Sequence, residues 1–234
     1  NGDYLFIPQY VENELGDYYN FNEQHIVNAM DYGVPQSRQR YIYLLSAKTE
    51  DVKWEFPEKQ QDIITMEEAI GSLPSLDPCL REETEKWRFP DFEEKKRKGL
   101  EVSKWHYPPV HSWKQVEWMI HTPTGKSAFK NETFYPKTKG RRIKGAPRTY
   151  MRMFWDKPAT TIMQNSGVIS AFSTVHPGRP IVESDDDTKR EYSDARALSI
   201  YELLILSSLP LDWDIPEWAS DVLIRKVIGE GIPP

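Results

Sequence analysis

The chain has 234 residues, 38% of them hydrophobic and 12% aromatic, enough to pack one large domain or two small ones. Its single cysteine excludes a disulfide framework and fits a reducing compartment, and no run approaches the roughly 20 apolar residues of a membrane span. The net charge of −6 argues weakly against a nucleic-acid partner, yet residues 126–152 carry nine basic side chains against one acid, Glu132.

Asn1-Gly2-Asp3-Tyr4 is neither a signal peptide nor a start, and Ile232-Pro233-Pro234 looks interrupted, so part of a longer chain is expected. Tyr10-Val11-Glu12-Asn13-Glu14-Leu15 reads as the tail of a helix closed by Gly16. Residues 26–29 and 41–47 are apolar without clean alternation, which suits buried parallel strands of an α/β sheet. Between them runs Asp31-Tyr32-Gly33-Val34-Pro35-Gln36-Ser37-Arg38-Gln39-Arg40. Gly33 and Pro35 force a tight turn. Side chains alternate along a strand, so Arg38 and Arg40 point the same way at its mouth. Two guanidiniums aimed at one place call for anions or carbonyl oxygens. Taken alone, an Arg-x-Arg pair more often marks a solvated strand edge.

Thr65-Met66-Glu67-Glu68 has the form of a capping box opening a short helix that Gly71 ends. Leu73-Pro74-Ser75-Leu76 then leaves the first domain, and residues 77–109 turn to charge, tryptophan and proline. The mixed-charge residues 91–98 read as a solvated helix or loop. Ser112-Trp113-Lys114-Gln115 again has capping-box form, with Trp113, Val116 and Ile120 on one core-facing stripe. Residues 160–163 and 168–172 look like short strands around Gly167, and residues 183–190 form an acidic turn. Ser199-Ile200-Tyr201-Glu202 is a third box, its helix stopped by Leu209-Pro210. Ser220 caps a last helix through Val227, ended by Gly229-Glu230-Gly231.

Some apparent motifs carry nothing. Gly125-Lys126-Ser127 mimics a phosphate loop, but Ile120 stands where the motif needs its first glycine. His25, His106, His111, His121 and His176 lack ligand spacing, and with one cysteine no metal site is expected.

The string Tyr32-Gly33-Val34-Pro35-Gln36-Ser37-Arg38-Gln39-Arg40 resembles the motif after the sixth strand of the DNA (cytosine-5) methyltransferases. Later segments resemble the same family in order. Asp156-Lys157-Pro158-Ala159-Thr160-Thr161-Ile162 is similar to the end of its recognition region. Arg196-Ala197-Leu198-Ser199-Ile200-Tyr201-Glu202 is similar to its Arg-x-Leu-(Thr/Ser)-x-x-Glu motif. Val227-Ile228-Gly229-Glu230-Gly231-Ile232-Pro233-Pro234 is similar to its last motif, with Glu230 in place of the usual asparagine. The family's glycine-rich cofactor motif, Pro-Cys nucleophile and Glu-Asn-Val element have no counterpart in order. Pro78-Cys79 follows the turn instead of preceding it, and Glu82 and Glu83 oppose a thiolate, so Cys79 does not suit the nucleophile's role.

The resemblance implies a partial Rossmann-like methyltransferase sheet, α/β in class, with an inserted and mostly irregular target-recognition domain. Residues 1–80 would belong to the catalytic domain, 81–215 to the recognition domain and 216–234 to the return segment. The implied activity is sequence-specific cytosine C5 methylation of double-stranded DNA with S-adenosylmethionine, in a bacterial restriction-modification system. The N-terminal half of the enzyme would come from the same chain or a partner subunit, and the site of action would be cytoplasmic, at the nucleoid. Arg40 would face the flipped cytosine and Arg38 the DNA backbone nearby. Glu230, Gly231 and Ile232 would line the cofactor site. DNA contacts would come from Gln36, Lys139, Arg141, Arg142, Lys144, Arg148, Thr161, Gln164 and Asn165, as base contacts or as phosphate contacts. Two alternatives stay open: a non-catalytic DNA-binding module, and a tRNA cytosine-5 methyltransferase of the same fold.

Overall fold

The computed structural model describes residues 6–22, 26–146 and 148–234, so Asn1-Gly2-Asp3-Tyr4 and His25 lie outside the described residues. Helix α1 (Ile7–Leu15) opens with Pro8 in its first turn, where a missing N–H does no harm, and closes where the Gly16 N–H donates to Glu12 O at 2.8 Å. Strand β1 (Tyr19–Phe21) precedes β2 (Ile26–Asn28), β3 (Gln39–Tyr41) and β4 (Leu45–Ala47). β1 pairs with β4 and β2 with β3, both antiparallel. This corrects the expectation of parallel strands. Residues 29–38 are fewer than the dozen or so that a parallel crossover needs. Gly33, at φ +85°, turns the chain straight back through the left-handed region that glycine enters without strain.

Helix α2 (Met66–Ile70) carries the expected box: the Glu68 N–H donates to the Thr65 hydroxyl at 3.2 Å, and the Thr65 N–H donates to the Glu68 carboxylate at 2.8 Å. Strand β5 (Cys79–Leu80) leads into α3 (Phe92–Val102), formed by the mixed-charge run and laced by a 2.7 Å Lys98–Glu94 pair. Strand β6 (Val110–His111) pairs parallel with β5. Helix α4 (Trp113–Ile120) starts at Ser112 without the expected box. The Gln115 N–H, which a box would give to the Ser112 hydroxyl, donates to the Ser112 carbonyl at 3.0 Å, and the Glu82 carboxylate from a distant segment takes the Trp113 N–H at 2.8 Å.

Strands β7 (Lys137–Thr138) and β8 (Arg141–Arg142) form a hairpin. Its two-residue turn, Lys139-Gly140, has φ +49° and +76°, the double left-handed geometry that matches strand twist. Strands β9 (Pro180–Val182) and β10 (Glu191–Tyr192) flank the acidic turn. Residues 160–163 and 168–172 are not strands. The Ile162 N–H and carbonyl are both taken by side chains from the Gln36–Arg38 turn, and residues 165–171 coil through two local backbone bonds.

Helix α5 (Ile200–Leu206) has the third box intact, with Ser199 accepting from the Glu202 N–H at 3.1 Å. It stops before Leu209-Pro210, because Ser208 adopts φ +51°. Helix α6 (Asp221–Glu230) is capped by Ser220 and runs past Val227, through Gly229. One apolar core gathers Met66 and Ile70, Met153 and Ile162, Leu203 and Leu206, and Ile224 and Ile228. A second gathers Leu80, Val116, Trp118, Met119, Ile169 and Val175, with Trp113 and Ile120 packed beside it. Each such fully buried side chain contributes about 1.5–3 kcal/mol.

The class is mixed α/β. The expected remnant of a parallel sheet is not formed by the described residues: every ladder among them has two strands, and only β5–β6 is parallel. No helix of the described residues is long and apolar enough to cross a membrane.

Candidate active-site groove and nucleic-acid interface

Arg38 and Arg40 do share a direction. Both line a groove of about 220 Å³ with Tyr32, Phe56, Ile232 and Pro233. They differ in depth. Arg40, in β3 opposite Val27, is half-buried, and its Nη1 donates to the neighbouring Gln39 carbonyl at 2.7 Å. Arg38 is 2% exposed. Its Nη1 donates to the Ile162 carbonyl at 2.7 Å and its Nη2 to the Gly229 carbonyl at 2.9 Å. Burial, and then the Arg40 charge, push its pKa down, and the carbonyls compensate the lost hydration. Arg38 is thus committed inside the protein, where the resemblance implies a DNA-backbone contact.

Gln36 is equally committed. It is 1% exposed; its Nε2 donates to the Leu206 carbonyl at 3.1 Å and the Ser207 hydroxyl at 3.2 Å, and its Oε1 accepts from the Ile162 N–H at 3.1 Å. The Thr161 hydroxyl donates to the Ser37 carbonyl at 2.8 Å. Three residues expected at the DNA therefore form a buried junction. It fastens the Gly33 turn, residues 159–162, the end of α5 and the last turn of α6 to one another. The reason is that each carries donors that neighbouring carbonyls would otherwise lack, and buried carbonyls are rarely left alone.

From this junction emerge the groups that reach the surface. Gln164 and Asn165 are exposed in loop 163–167. Gly229 lets α6 lie directly on that loop: a Cβ there would stand 2.4 Å from Gln164 N. Gln164 Nε2 donates to Glu230 Oε1 at 2.9 Å, so the Glu230 carboxylate meets the loop and is not among the groups lining the groove. Gly231 lines a smaller cleft of about 90 Å³ behind Arg38, and Ile232 lines both. Sequence spacing gave no sign of Tyr32, Phe56 or Gly229 in these roles.

The β7–β8 hairpin presents Lys139 and Arg141, with Lys144 beyond, all exposed. Arg142 differs: it donates to the Phe129 carbonyl at 3.0 Å and the Asn131 carbonyl at 3.1 Å, and stacks 3.8 Å over Tyr135. Arg148 lies 5.4 Å over Phe172. Arg152, part of the same basic stretch, is fully buried and donates to the Met119 and His176 carbonyls, each at 2.9 Å. It is lost to any polyanion.

Away from the groove, Arg196 grips Glu202 through Nη1 and Nη2, each at 2.9 Å, and Asp194 at 2.8 Å. Burial opposes charge on Glu202, but Arg196 outweighs it and holds the carboxyl down at about 2. Burial keeps His111 and His176 neutral, pushed down to about 3 and about 4. Both rings accept backbone N–H bonds, from Ala197 and Gly178, each at 3.1 Å. Cys79 stands half-buried in β5 and is not among the groove residues. Gly125 is a turn residue at φ +69° with Phe154 against it, not part of a phosphate cradle. Among the described residues no cluster of His, Cys, Asp or Glu is placed to hold a metal.

The profile of C-5 cytosine-specific DNA methylases matches residues 9–234. The chain belongs to that family. It is 43% identical over 229 residues to the Type II methyltransferase M1.HgaI of Avibacterium volantium, covering 97% of this chain and 56% of that protein. Over 58 residues it is 40% identical to the Type II methyltransferase M.MthTI of Methanothermobacter thermautotrophicus, covering 25% of this chain and 18% of that one. A crystal structure described as a candidate DNA modification methyltransferase encoded within an E. coli prophage shares the fold. It has a TM-score of 0.55 and 17% identity, covering 99% of this chain and 62% of that one. The chain thus spans little more than half the length of M1.HgaI.

Proposed function

We propose that this chain supplies the target-recognition and C-terminal catalytic elements of a restriction-modification DNA cytosine C5 methyltransferase. The observation that carries the reading is the groove itself: a half-exposed Arg40 that lines it together with Ile232, Pro233 and the buried Arg38. Extruding a base costs a few kcal/mol. The groove's apolar walls offset part of that, and Arg40 donates to the cytosine O2, where charge accumulates when C6 is attacked. The attacking thiolate comes from the remainder of the enzyme.

S-adenosylmethionine, when bound, supplies the methyl group. The apolar Ile232 side chain and the Gly231 backbone suit one wall of its site. The two guanidiniums of this chain would oppose a sulfonium directly against them, so they fit the base side of the groove better. Exposed Phe6, Ile7, Tyr10, Tyr19, Ile26 and Tyr41 give the remaining half of the enzyme an apolar face to cover. In this reading residues 1–80 complete the catalytic domain, 81–215 read the DNA and 216–234 return to the groove. Lys139, Arg141 and Lys144 hold phosphates, while Gln164 and Asn165 approach bases. The enzyme works on cytoplasmic, nucleoid DNA.

Base-resolution sequencing of DNA from a host expressing the whole enzyme tests this. The expected result is 5-methylcytosine at one short recurring sequence. Unmodified DNA, or methylation confined to tRNA, rejects it.

A further inference from the structure

A second cavity, about 370 Å³, opens beside loop 163–167, lined by Tyr107, Val110, Gln164, Val168, Val222 and the Asp221–Arg225 pair of α6. Its volume lies in the range of about 300–1,000 Å³ usual for ligand pockets. The pair is unusual in what it leaves undone. Arg225 is 2% exposed; its Nε donates to Asp221 Oδ1 at 2.6 Å and its Nη1 to the Leu198 carbonyl at 2.8 Å. Arginine–carboxylate pairs commonly close through two parallel bonds. This one closes through a single bond. Arg225 Nη2 and Asp221 Oδ2 are both buried, and among the described residues neither meets a partner at full hydrogen-bond distance. The Tyr107 hydroxyl also faces this carboxylate: burial, then the Asp221 charge and a side-chain hydrogen bond toward it, raise its pKa.

An unmatched buried donor and an unmatched buried acceptor on one wall each cost free energy unless something fills them. A phosphate would meet Asp221, and a cation would meet Arg225. A neutral planar group that displays an acceptor beside a donor satisfies both, and the apolar Val110, Val168 and Val222 suit its faces. The packing also ties this pair to the recognition loop: a Cβ at Gly167 would stand 2.9 Å from Arg225 Cδ.

We propose that Asp221 and Arg225 form a specificity pocket for the edge of one nucleobase in the DNA target, Arg225 Nη2 donating and Asp221 Oδ2 accepting. This rests on the reading of the chain as a DNA methyltransferase. The test uses the full-length enzyme and its mapped target sequence. Asp221→Asn can keep the bond to Arg225 Nε while turning the free acceptor into a donor. It should change discrimination at one target position by about 10-fold or more in relative kcat/KM, leaving the other positions as they were. Val222→Trp, at an exposed position on the rim, should block the cavity and lower kcat/KM for the cognate site without changing the melting temperature. It decides the matter if Asp221→Asn does not fold. Parent-like discrimination at every position, with parent-like kcat/KM in the rim variant, overturns the proposal and leaves the two atoms to water. A parent enzyme that methylates no DNA cytosine removes the underlying reading, and this role with it.

Discussion

Arg38 donates a 2.9 Å hydrogen bond to the carbonyl of Gly229, 191 residues further along the chain. With its 2.7 Å bond to Ile162, it holds the turn, residues 159–162 and the last helix at one point. Arg38→Ala should therefore act on stability, by about 2–4 kcal/mol, the worth of charge-assisted bonds to buried carbonyls. Arg38→Lys should recover only part, since an ammonium cannot reproduce the fork. Denaturant midpoints of the purified enzyme measure this. An unchanged midpoint with weakened DNA binding would put Arg38 at the DNA instead.

Gly229→Ala sets two effects against each other. Alanine favours a helix interior over glycine by about 1 kcal/mol. Here its Cβ would meet the backbone of Met163 and Gln164 at 2.4 Å, and backbone cannot swing aside. Overpacking of this kind costs about 1–3 kcal/mol, so the variant should melt lower. A raised melting temperature would show that α6 does not press on the loop.

How far the sequence reveals this arrangement depends on the range of each interaction. The boxes at Thr65–Glu68 and Ser199–Glu202 close within one helical turn and were legible. The box at Ser112 is not formed: the Gln115 N–H goes to the Ser112 carbonyl, and Glu82 takes the Trp113 N–H from elsewhere. The strand-like residues 160–163 have the right composition, but Gln36 and Arg38 occupy the backbone groups a ladder would use. For Arg38 and Arg40, alternation gave the shared direction and could not give depth. That is why, of the two that line the groove, Arg38 is buried against carbonyls while Arg40 stays half-exposed.

On the proposed reading, Lys139, Arg141 and Lys144 of the basic hairpin hold phosphates, while Arg142 is bonded to the protein's own carbonyls. Neutralising Lys139, Arg141 and Lys144 together should weaken binding to all DNA sequences alike. The salt dependence of log K should flatten by about 0.9 for every phosphate no longer neutralised. Arg142→Ala should instead lower the melting temperature, because its guanidinium holds Phe129 and Asn131. Salt titrations and thermal melts of the two variants would distinguish these outcomes, and an unaltered slope after the triple change would exclude the hairpin as a phosphate surface.

Stability should fall as acid is added, and early. His111 and His176 titrate near 6.5 when unfolded but are pushed down to about 3 and about 4 when folded. Below pH 6.5 the unfolded chain binds protons that the folded one refuses, so unfolding becomes easier down to about pH 4. Glu202, held at about 2, extends the loss below about pH 4.5. Urea midpoints from pH 8 to 4 should be flat above 7 and decline from there. A midpoint constant from pH 7 to 5 would mean that these rings charge freely in the folded protein.

In the whole enzyme, Arg40→Ala should lower single-turnover methylation at least about 100-fold, in line with loss of a group that stabilises developing charge. The dissociation constant for target DNA should change only a few-fold. Equal losses in turnover and in binding would contradict a role at the reacting base and make Arg40 one more DNA-holding charge.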